Sequence, residues 1–179
     1  MTDGKLFDDV VLPEETCGLF NAVLTDGNRV TAIQFDSCYE LLWMGNSAGR
    51  VTSFYGSAMG RYTSFRMFPA DEVRSLLSLD DNILALSPTA VKCNTKCGLC
   101  VSSLCSPEFH DLQCVLMNRR SPDNAFLGGL QSFVNVLNLP RMELVEKVPI
   151  PEADCVLMKG NESVVYSATS KGQVSQSVH

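Results

Sequence analysis

Apolar residues recur along the chain in short runs at a nearly constant interval. Four runs begin at Leu41, Ile83, Ala125 and Val164, so that successive starts are 42, 42 and 39 positions apart. Each run covers about five residues, which is the length of a β-strand buried on both faces rather than that of a helix. The pattern therefore predicts one buried strand in each of four similar units.

Two further sets of apolar positions repeat with the first. One precedes each run, starting at Val30, Val73, Leu112 and Cys155. The other follows each run after a polar turn, at Val51, Val91, Val134 and Val174. Several short strands in every unit of about 40–45 residues are typical of the blades of a β-propeller. We therefore expect an all-β fold built from repeated antiparallel sheets.

The repeat divides the sequence into a lead-in over residues 1–29 and propeller blades over 30–179. The blades are expected at about 30–68, 73–105, 112–150 and 154–179. The first three have room for four strands and the fourth stops before its last strand, which gives about three and a half four-stranded blades. Because propellers close with about four to eight blades, we expect this chain to form the front part of a larger, seven-bladed ring.

Strand limits are predicted from the turn residues between the runs. The first unit should contain strands over Val30–Phe35, Leu41–Asn46, Arg50–Phe54 and Tyr62–Phe68. In the second unit, 71–79 also fits a short amphipathic helix, but its counterparts in the other units favour a strand. Similar polar turns at 46–49 and 170–172 support the alignment of the first unit with the fourth.

Composition indicates a cellular compartment and argues against some functions. With 45% hydrophobic and 19% charged residues the chain is a packed globular protein. Its net charge of −6 argues against a broad phosphate-binding surface. No apolar run approaches the roughly 20 residues that cross a bilayer, so no membrane partner is expected. The acidic first residues do not resemble a secretory signal, so we expect a cytosolic or nuclear protein. Its cysteines should mostly be reduced, and many of them should lie in strands as small hydrophobic residues.

A cysteine cluster is the sharpest candidate for chemistry. Cys93, Cys97 and Cys100 have the Cys-x3-Cys-x2-Cys spacing that resembles radical S-adenosylmethionine enzymes, where three thiolates hold an iron–sulfur cluster. Cys105 or His110 could complete a zinc site with them instead. The alternative is that these thiols alternate along two strands and a turn. The strand repeat favours this alternative, and no metal is assigned to the chain.

Other chemical signals in the sequence are weaker. His110 and His179 suggest no nucleophile–base pair, and no phosphate-binding loop occurs, so no catalytic or cofactor-binding residue is predicted. Arg119-Arg120, and Arg61 beside Tyr62, are candidate RNA contacts. Two basic residues in a turn are more often solvated, and direct RNA contact is left open.

Particular blocks of sequence resemble a known family. Glu40–Gly45, Gly49–Gly56 and Arg61–Phe65 are similar to the first propeller blade of the catalytic subunits of poly(A)-nuclease deadenylation complexes. Leu127–Gln131 and Ser170–Ser175 resemble later blades of the same family. The order and spacing agree from about residue 30 to 178. The Gly-His and Trp-Asp pairs of typical WD repeats are absent, as in the degenerate repeats of this family.

The resemblance implies a non-catalytic scaffold for shortening mRNA poly(A) tails. In the family, a pseudokinase regulatory subunit and poly(A) ribonucleoprotein are the partners, and a separate 3′-exoribonuclease domain holds divalent metal, expected to be Mg²⁺. That domain has no counterpart in these 179 residues, so we expect neither catalysis nor a cofactor here. The implied location is cytoplasmic, including P-bodies, with some protein in the nucleus. A generic WD-repeat adaptor is the alternative.

Overall fold

Four antiparallel sheets make up the described part of the protein. The structure is a computed structural model that describes residues 27–150, 154–161 and 164–178, so most of the predicted lead-in lies outside the described residues. The first sheet contains β1 (Val30–Phe35), β2 (Leu41–Asn46), β3 (Arg50–Tyr55) and β4 (Gly60–Arg66). The second contains β5 (Ser75–Ser78), β6 (Asn82–Leu86), β7 (Ala90–Thr95) and β8 (Cys100–Cys105).

The third and fourth sheets repeat this plan. The third contains β9 (Leu112–Met117), β10 (Asn124–Gly129), β11 (Phe133–Asn138) and β12 (Glu143–Pro149). The fourth contains β13 (Leu157–Gly160), β14 (Val164–Ala168) and β15 (Val174–Val178). Within each sheet, every strand pairs with the next one along the chain. No helix of the described residues is long and apolar enough to cross a membrane.

Consecutive sheets pack face to face, with their first strands β1, β5, β9 and β13 in contact in that order. Strand β6 shows why the apolar runs are continuous. Ile83 and Ala85 point into the core shared with the first sheet, whereas Leu84 and Leu86 point into the core shared with the third. A strand between two sheets buries both of its faces and so carries no polar alternation. This is the arrangement of propeller blades, as the repeat predicted.

Two predicted strand limits of the first unit, those of β1 and β2, are confirmed. The ambiguous segment 71–79 forms a strand, although only over Ser75–Ser78. Strand β4 starts and ends two residues earlier than predicted. Met67 and Phe68 leave the ladder because their backbone amides donate to the carbonyl of Gly49, at 2.9 and 3.1 Å, while their side chains enter the core.

The equivalent turns of the first and fourth sheets use glycine for the same reason. Gly49 and Gly172 have φ values of 73° and 78°, in the left-handed region that glycine adopts without steric cost. Each backbone amide donates to the carbonyl three residues earlier, that of Asn46 or Thr169. The alignment of these turns is therefore confirmed.

Apolar side chains are exposed on the outer faces of the first and fourth sheets. On β1, Ala32 packs toward the second sheet, so its neighbours Ile33 and Phe35 point away from it and are exposed. On the fourth sheet, Met158 is buried against the third sheet and Leu157 is exposed on the opposite face. On these two outer faces apolar side chains are exposed, whereas between successive sheets they are buried.

Candidate interaction groove between the first two sheets

The structure spreads the cysteine cluster over two strands, a turn and a loop. Cys93 is buried on β7, Cys97 is exposed in the following turn, and Cys100 and Cys105 are exposed on β8. His110 is exposed in the loop before β9. In the described part of the chain, no three His, Cys, Asp or Glu side chains come together in a geometry that could hold a metal ion. The strand-and-turn interpretation is the one that this placement fits.

The expectation that many cysteines lie in strands is met by Cys93, Cys100, Cys105 and Cys114, although of these only Cys93 and Cys114 are buried like small hydrophobic residues. Four of the seven described cysteines are exposed: Cys38, Cys97, Cys100 and Cys105. The two on β8 are exposed because this strand forms the edge of its sheet, and exposed Leu99 and Val101 lie beside Cys100.

The candidate RNA contacts are also dispersed, with Arg61 on the first sheet and Arg119-Arg120 in a turn of the third.

Asp36, in the loop after β1, connects the first two sheets. Its side chain is fully buried, and its carboxylate accepts hydrogen bonds from Trp43 Nε1 at 2.7 Å, Lys96 Nζ at 2.9 Å and Ser78 Oγ at 3.1 Å. The backbone amides of the next loop residues, Cys38 and Tyr39, also donate to it, both at 2.9 Å. One carboxylate thus holds its own loop, β2, β5 and the turn after β7 together.

The pKa of Asp36 shows how strongly this cluster favours the charged carboxylate. Burial by itself raises the pKa, because it removes water from the charge. The hydrogen bonds from Trp43, Cys38, Lys96 and Tyr39 outweigh burial and lower the pKa from 3.8 to about 2. At neutral pH, Asp36 and Lys96 therefore form a buried, hydrogen-bonded ion pair.

A groove opens beside this ion pair, and tyrosine rings dominate its lining. Tyr39, Tyr55 and Tyr62 are 59%, 54% and 57% exposed. The cavity between them and the second sheet has a volume of about 530 Å³. We call this cavity the tyrosine groove. A second cavity of about 330 Å³ is separate from it, because Phe35, Leu42 and Phe54 line it on the outer face of the first sheet.

Carboxylates supply the exposed charge of the tyrosine groove. Glu40 and Asp81 line the larger cavity, and both are exposed. Lys96 also lines it, but the Lys96 side chain is only 9% exposed and its ammonium is bound by Asp36. The same ammonium lies 4.6 Å from the centre of the Tyr39 ring. The charge that the groove presents to a ligand is therefore negative.

Sequence reasoning missed this groove. The hydrophobic pattern does not indicate it, because Asp36 and Lys96 lie 60 positions apart in the chain. One signal was available: three of the four tyrosines of the chain lie within the first unit. Clustered tyrosines on a rigid scaffold are common in binding surfaces.

Comparison with known proteins identifies the family. A family model described as "PAN2 N-terminal" matches residues 15–178. The chain belongs to the PAN2 N-terminal family. The chicken "PAN2-PAN3 deadenylation complex catalytic subunit PAN2" is 30% identical over 157 residues, which are 88% of this chain. The Aspergillus oryzae protein of the same name is 34% identical over 146 residues, 80% of the chain. The resemblance to deadenylation-complex subunits is thus confirmed.

The match covers only a part of these relatives. The chain spans 13% of the chicken PAN2 protein and 12% of the Aspergillus protein. Among solved structures, the WD40 domain of Neurospora crassa Pan2 is similar with a TM-score of 0.76 and 25% identity, over 84% of this chain and 47% of that domain. The four sheets therefore correspond to blades of a PAN2-type propeller, which confirms the predicted fold class.

Proposed function

We propose that this chain is a non-catalytic propeller scaffold in a complex that shortens the poly(A) tails of mRNA. In this role it positions a pseudokinase subunit of the PAN3 type and poly(A) ribonucleoprotein for a 3′-exoribonuclease domain. The observation that carries the proposal is the family match over residues 15–178, together with relatives that are named as catalytic subunits of PAN2-PAN3 complexes.

We assign the positioning of partners to this chain and the chemistry to another domain, because of the extent and the architecture of the matched part. The match covers about an eighth of the relatives, and the matched part is a stack of antiparallel sheets. Such sheets give a rigid surface for partners, and the chemistry is assigned to a domain elsewhere in the relatives, where divalent metal, expected to be Mg²⁺, would act. A cytoplasmic location that includes P-bodies, with some protein in the nucleus, is part of the same proposal.

The exposed apolar faces of the first and fourth sheets support a further part of the proposal. Ile33 and Phe35 on one side and Leu157 and Val174 on the other are exposed at 52% or more. Apolar faces of this kind are usually covered by another sheet in a propeller. Since the chain covers 47% of the solved Pan2 domain, we propose that additional blades cover both faces in the complete ring.

The test is purification of the endogenous protein through a tag at its own gene. The proposal predicts that a PAN3-type pseudokinase and poly(A)-shortening activity copurify with it through size-exclusion chromatography. A generic propeller adaptor would yield other partners and no poly(A)-shortening activity. A protein from an unrelated complex, carrying the same tag, is the control. Recovery of the tagged protein without the pseudokinase and the activity would overturn the proposal.

A further inference from the structure

We propose that the tyrosine groove binds a basic segment of a partner protein, with an arginine or lysine side chain held between tyrosine rings and carboxylates. The inference concerns the surface of the purified chain and does not depend on which complex contains it. Three observations support it: the aromatic lining, the sign of the exposed charge and the fixed positions of two of the rings.

The aromatic lining gives the groove affinity for a cation. Tyr39, Tyr55 and Tyr62 come from three different positions of the first sheet, the loop before β2, the end of β3 and strand β4, yet they line one cavity. The electron-rich faces of aromatic rings attract ammonium and guanidinium groups. The ammonium of Lys96 already makes such a contact with the ring of Tyr39 from within the protein.

The charge distribution selects a cation over a phosphate. Glu40 and Asp81 are exposed in the lining, whereas the one lysine there is buried and neutralised by Asp36. A groove for single-stranded nucleic acid also uses aromatic rings, but it combines them with exposed basic residues that follow the backbone. The tyrosine groove has the opposite charge, so we infer that it binds a basic protein segment rather than RNA.

Two of the three rings, those of Tyr39 and Tyr55, are held in place before a ligand arrives. The backbone of Tyr39 donates to Asp36, and its ring lies against Lys96. The ring of Tyr55 lies over Gly60, where an added Cβ would be 2.9 Å from two ring atoms. Rings that are already positioned lose little conformational entropy on binding, which favours affinity.

The experiment measures binding of a fluorescent peptide to the full 179-residue chain. The probe is a Gly-Ser peptide that contains several arginines, and the same peptide with citrulline, a neutral isostere of arginine, is the ligand control. Tyr62→Ala, Glu40→Gln and Asp81→Asn alter the groove. Tyr166→Ala and Glu146→Gln make the same changes at exposed residues of the fourth and third sheets. Thermal unfolding of each variant verifies that it remains folded.

We expect each groove variant to weaken binding of the arginine peptide by about three- to tenfold, and both control variants to leave it unchanged. The citrulline peptide should not bind. Equal weakening by Glu40→Gln and Glu146→Gln would overturn the proposal in favour of nonspecific attraction to an acidic protein. Binding of an oligoadenylate that Tyr62→Ala abolishes, without binding of the peptide, would overturn it in favour of RNA. If neither the arginine peptide nor the oligoadenylate binds, the proposal is also overturned.

Discussion

The ammonium of Lys96 lies 2.9 Å from the carboxylate of Asp36, although 60 positions separate the two residues in the chain. Asp36 lies in the loop after β1 of the first sheet and Lys96 in the turn after β7 of the second. The side chain of Asp36 is fully buried and that of Lys96 is nearly so. Trp43 and Ser78 donate to the same carboxylate. The ion pair therefore fixes how the first two sheets sit against each other, next to the tyrosine groove.

Replacement of Asp36 by Asn should strongly destabilise the protein. The substitution keeps the shape of the side chain but leaves the buried ammonium of Lys96 without a counter-charge. Loss of one partner of a buried pair costs about 3–5 kcal/mol of unfolding free energy. Equilibrium unfolding in urea measures this cost.

The matched control is Glu143→Gln, which breaks the exposed pair between Arg141 and Glu143 at 3.2 Å. An exposed pair contributes no more than about 1 kcal/mol. Similar unfolding midpoints for the Asp36 and Glu143 variants would show that the buried pair does not stabilise the contact between the sheets.

The same carboxylate should make stability depend on acid pH. The pKa of Asp36 is about 2 in the folded protein and 3.8 ordinarily, so the unfolded chain takes up the proton first as the pH falls. The stabilisation by Asp36 is therefore complete above the ordinary pKa of 3.8 and is lost as the pH falls from there to about 2. Urea unfolding across this range measures the loss.

The Asp36→Asn variant isolates this contribution. Its unfolding free energy should fall less steeply with acid than that of the unchanged protein, so that the difference between the two shrinks towards pH 2. A difference that stays constant across the same pH range would contradict the lowered pKa of Asp36.

Gly49→Ala should destabilise the turn between β2 and β3 far more than Gly56→Ala destabilises the turn between β3 and β4. Both glycines have positive φ, 73° and 65°, so both substitutions carry the cost of a left-handed alanine, about 1–2 kcal/mol. Only at Gly49 would the added Cβ overlap backbone carbonyl oxygens, those of Phe68 and Asp71. At Gly56 nothing lies within 4 Å.

The steric overlap at Gly49 should add about 1–3 kcal/mol to the loss of unfolding free energy. Urea unfolding midpoints with equal slopes would measure the difference directly. If the two variants unfold at the same denaturant concentration, the close approach of 67–71 to this turn is not present in solution.

Thiol labelling should divide the described cysteines into two classes. The exposed residues Cys38, Cys97, Cys100 and Cys105 should react with iodoacetamide in the folded protein. Cys114 should react only after unfolding, because a hydrogen bond with Cys155 and burial both raise its pKa, and the thiolate is the reactive form. Burial likewise raises the pKa of Cys93.

Mass spectrometry of the labelled peptides measures the two classes, and labelling in urea is the control. Cys114 and Cys155 lie across the contact between the third and fourth sheets, with their sulfur atoms 4.0 Å apart. Rapid labelling of this pair in native buffer would contradict the packing of the fourth sheet. Addition of Zn²⁺ should leave the labelling of Cys97, Cys100 and Cys105 unchanged, since no metal geometry unites them among the described residues.

The strands could be predicted from the sequence because burial on both faces leaves a direct trace in it. Ile83–Leu86 is apolar at every position, since alternate side chains enter two different cores. The same periodicity could not reveal the tyrosine groove. Lys96 follows the polar residues Asn94 and Thr95 and resembles a solvated turn residue, yet a carboxylate 60 positions earlier draws it into the interior. Hydrophobic patterns report which face is buried, and they do not report which polar groups meet between two sheets.

Under the proposed function, this propeller positions poly(A) ribonucleoprotein for an exoribonuclease domain that lies elsewhere in the relatives. The most direct measurement compares the complex purified through the tagged endogenous protein with the same complex lacking residues 27–178. Shortening of naked poly(A) and of poly(A) coated with its binding protein is followed in parallel. We predict that the deletion slows shortening of the coated substrate and leaves that of naked poly(A) unchanged. Equal loss of activity on both substrates, or no loss on either, would contradict the claim.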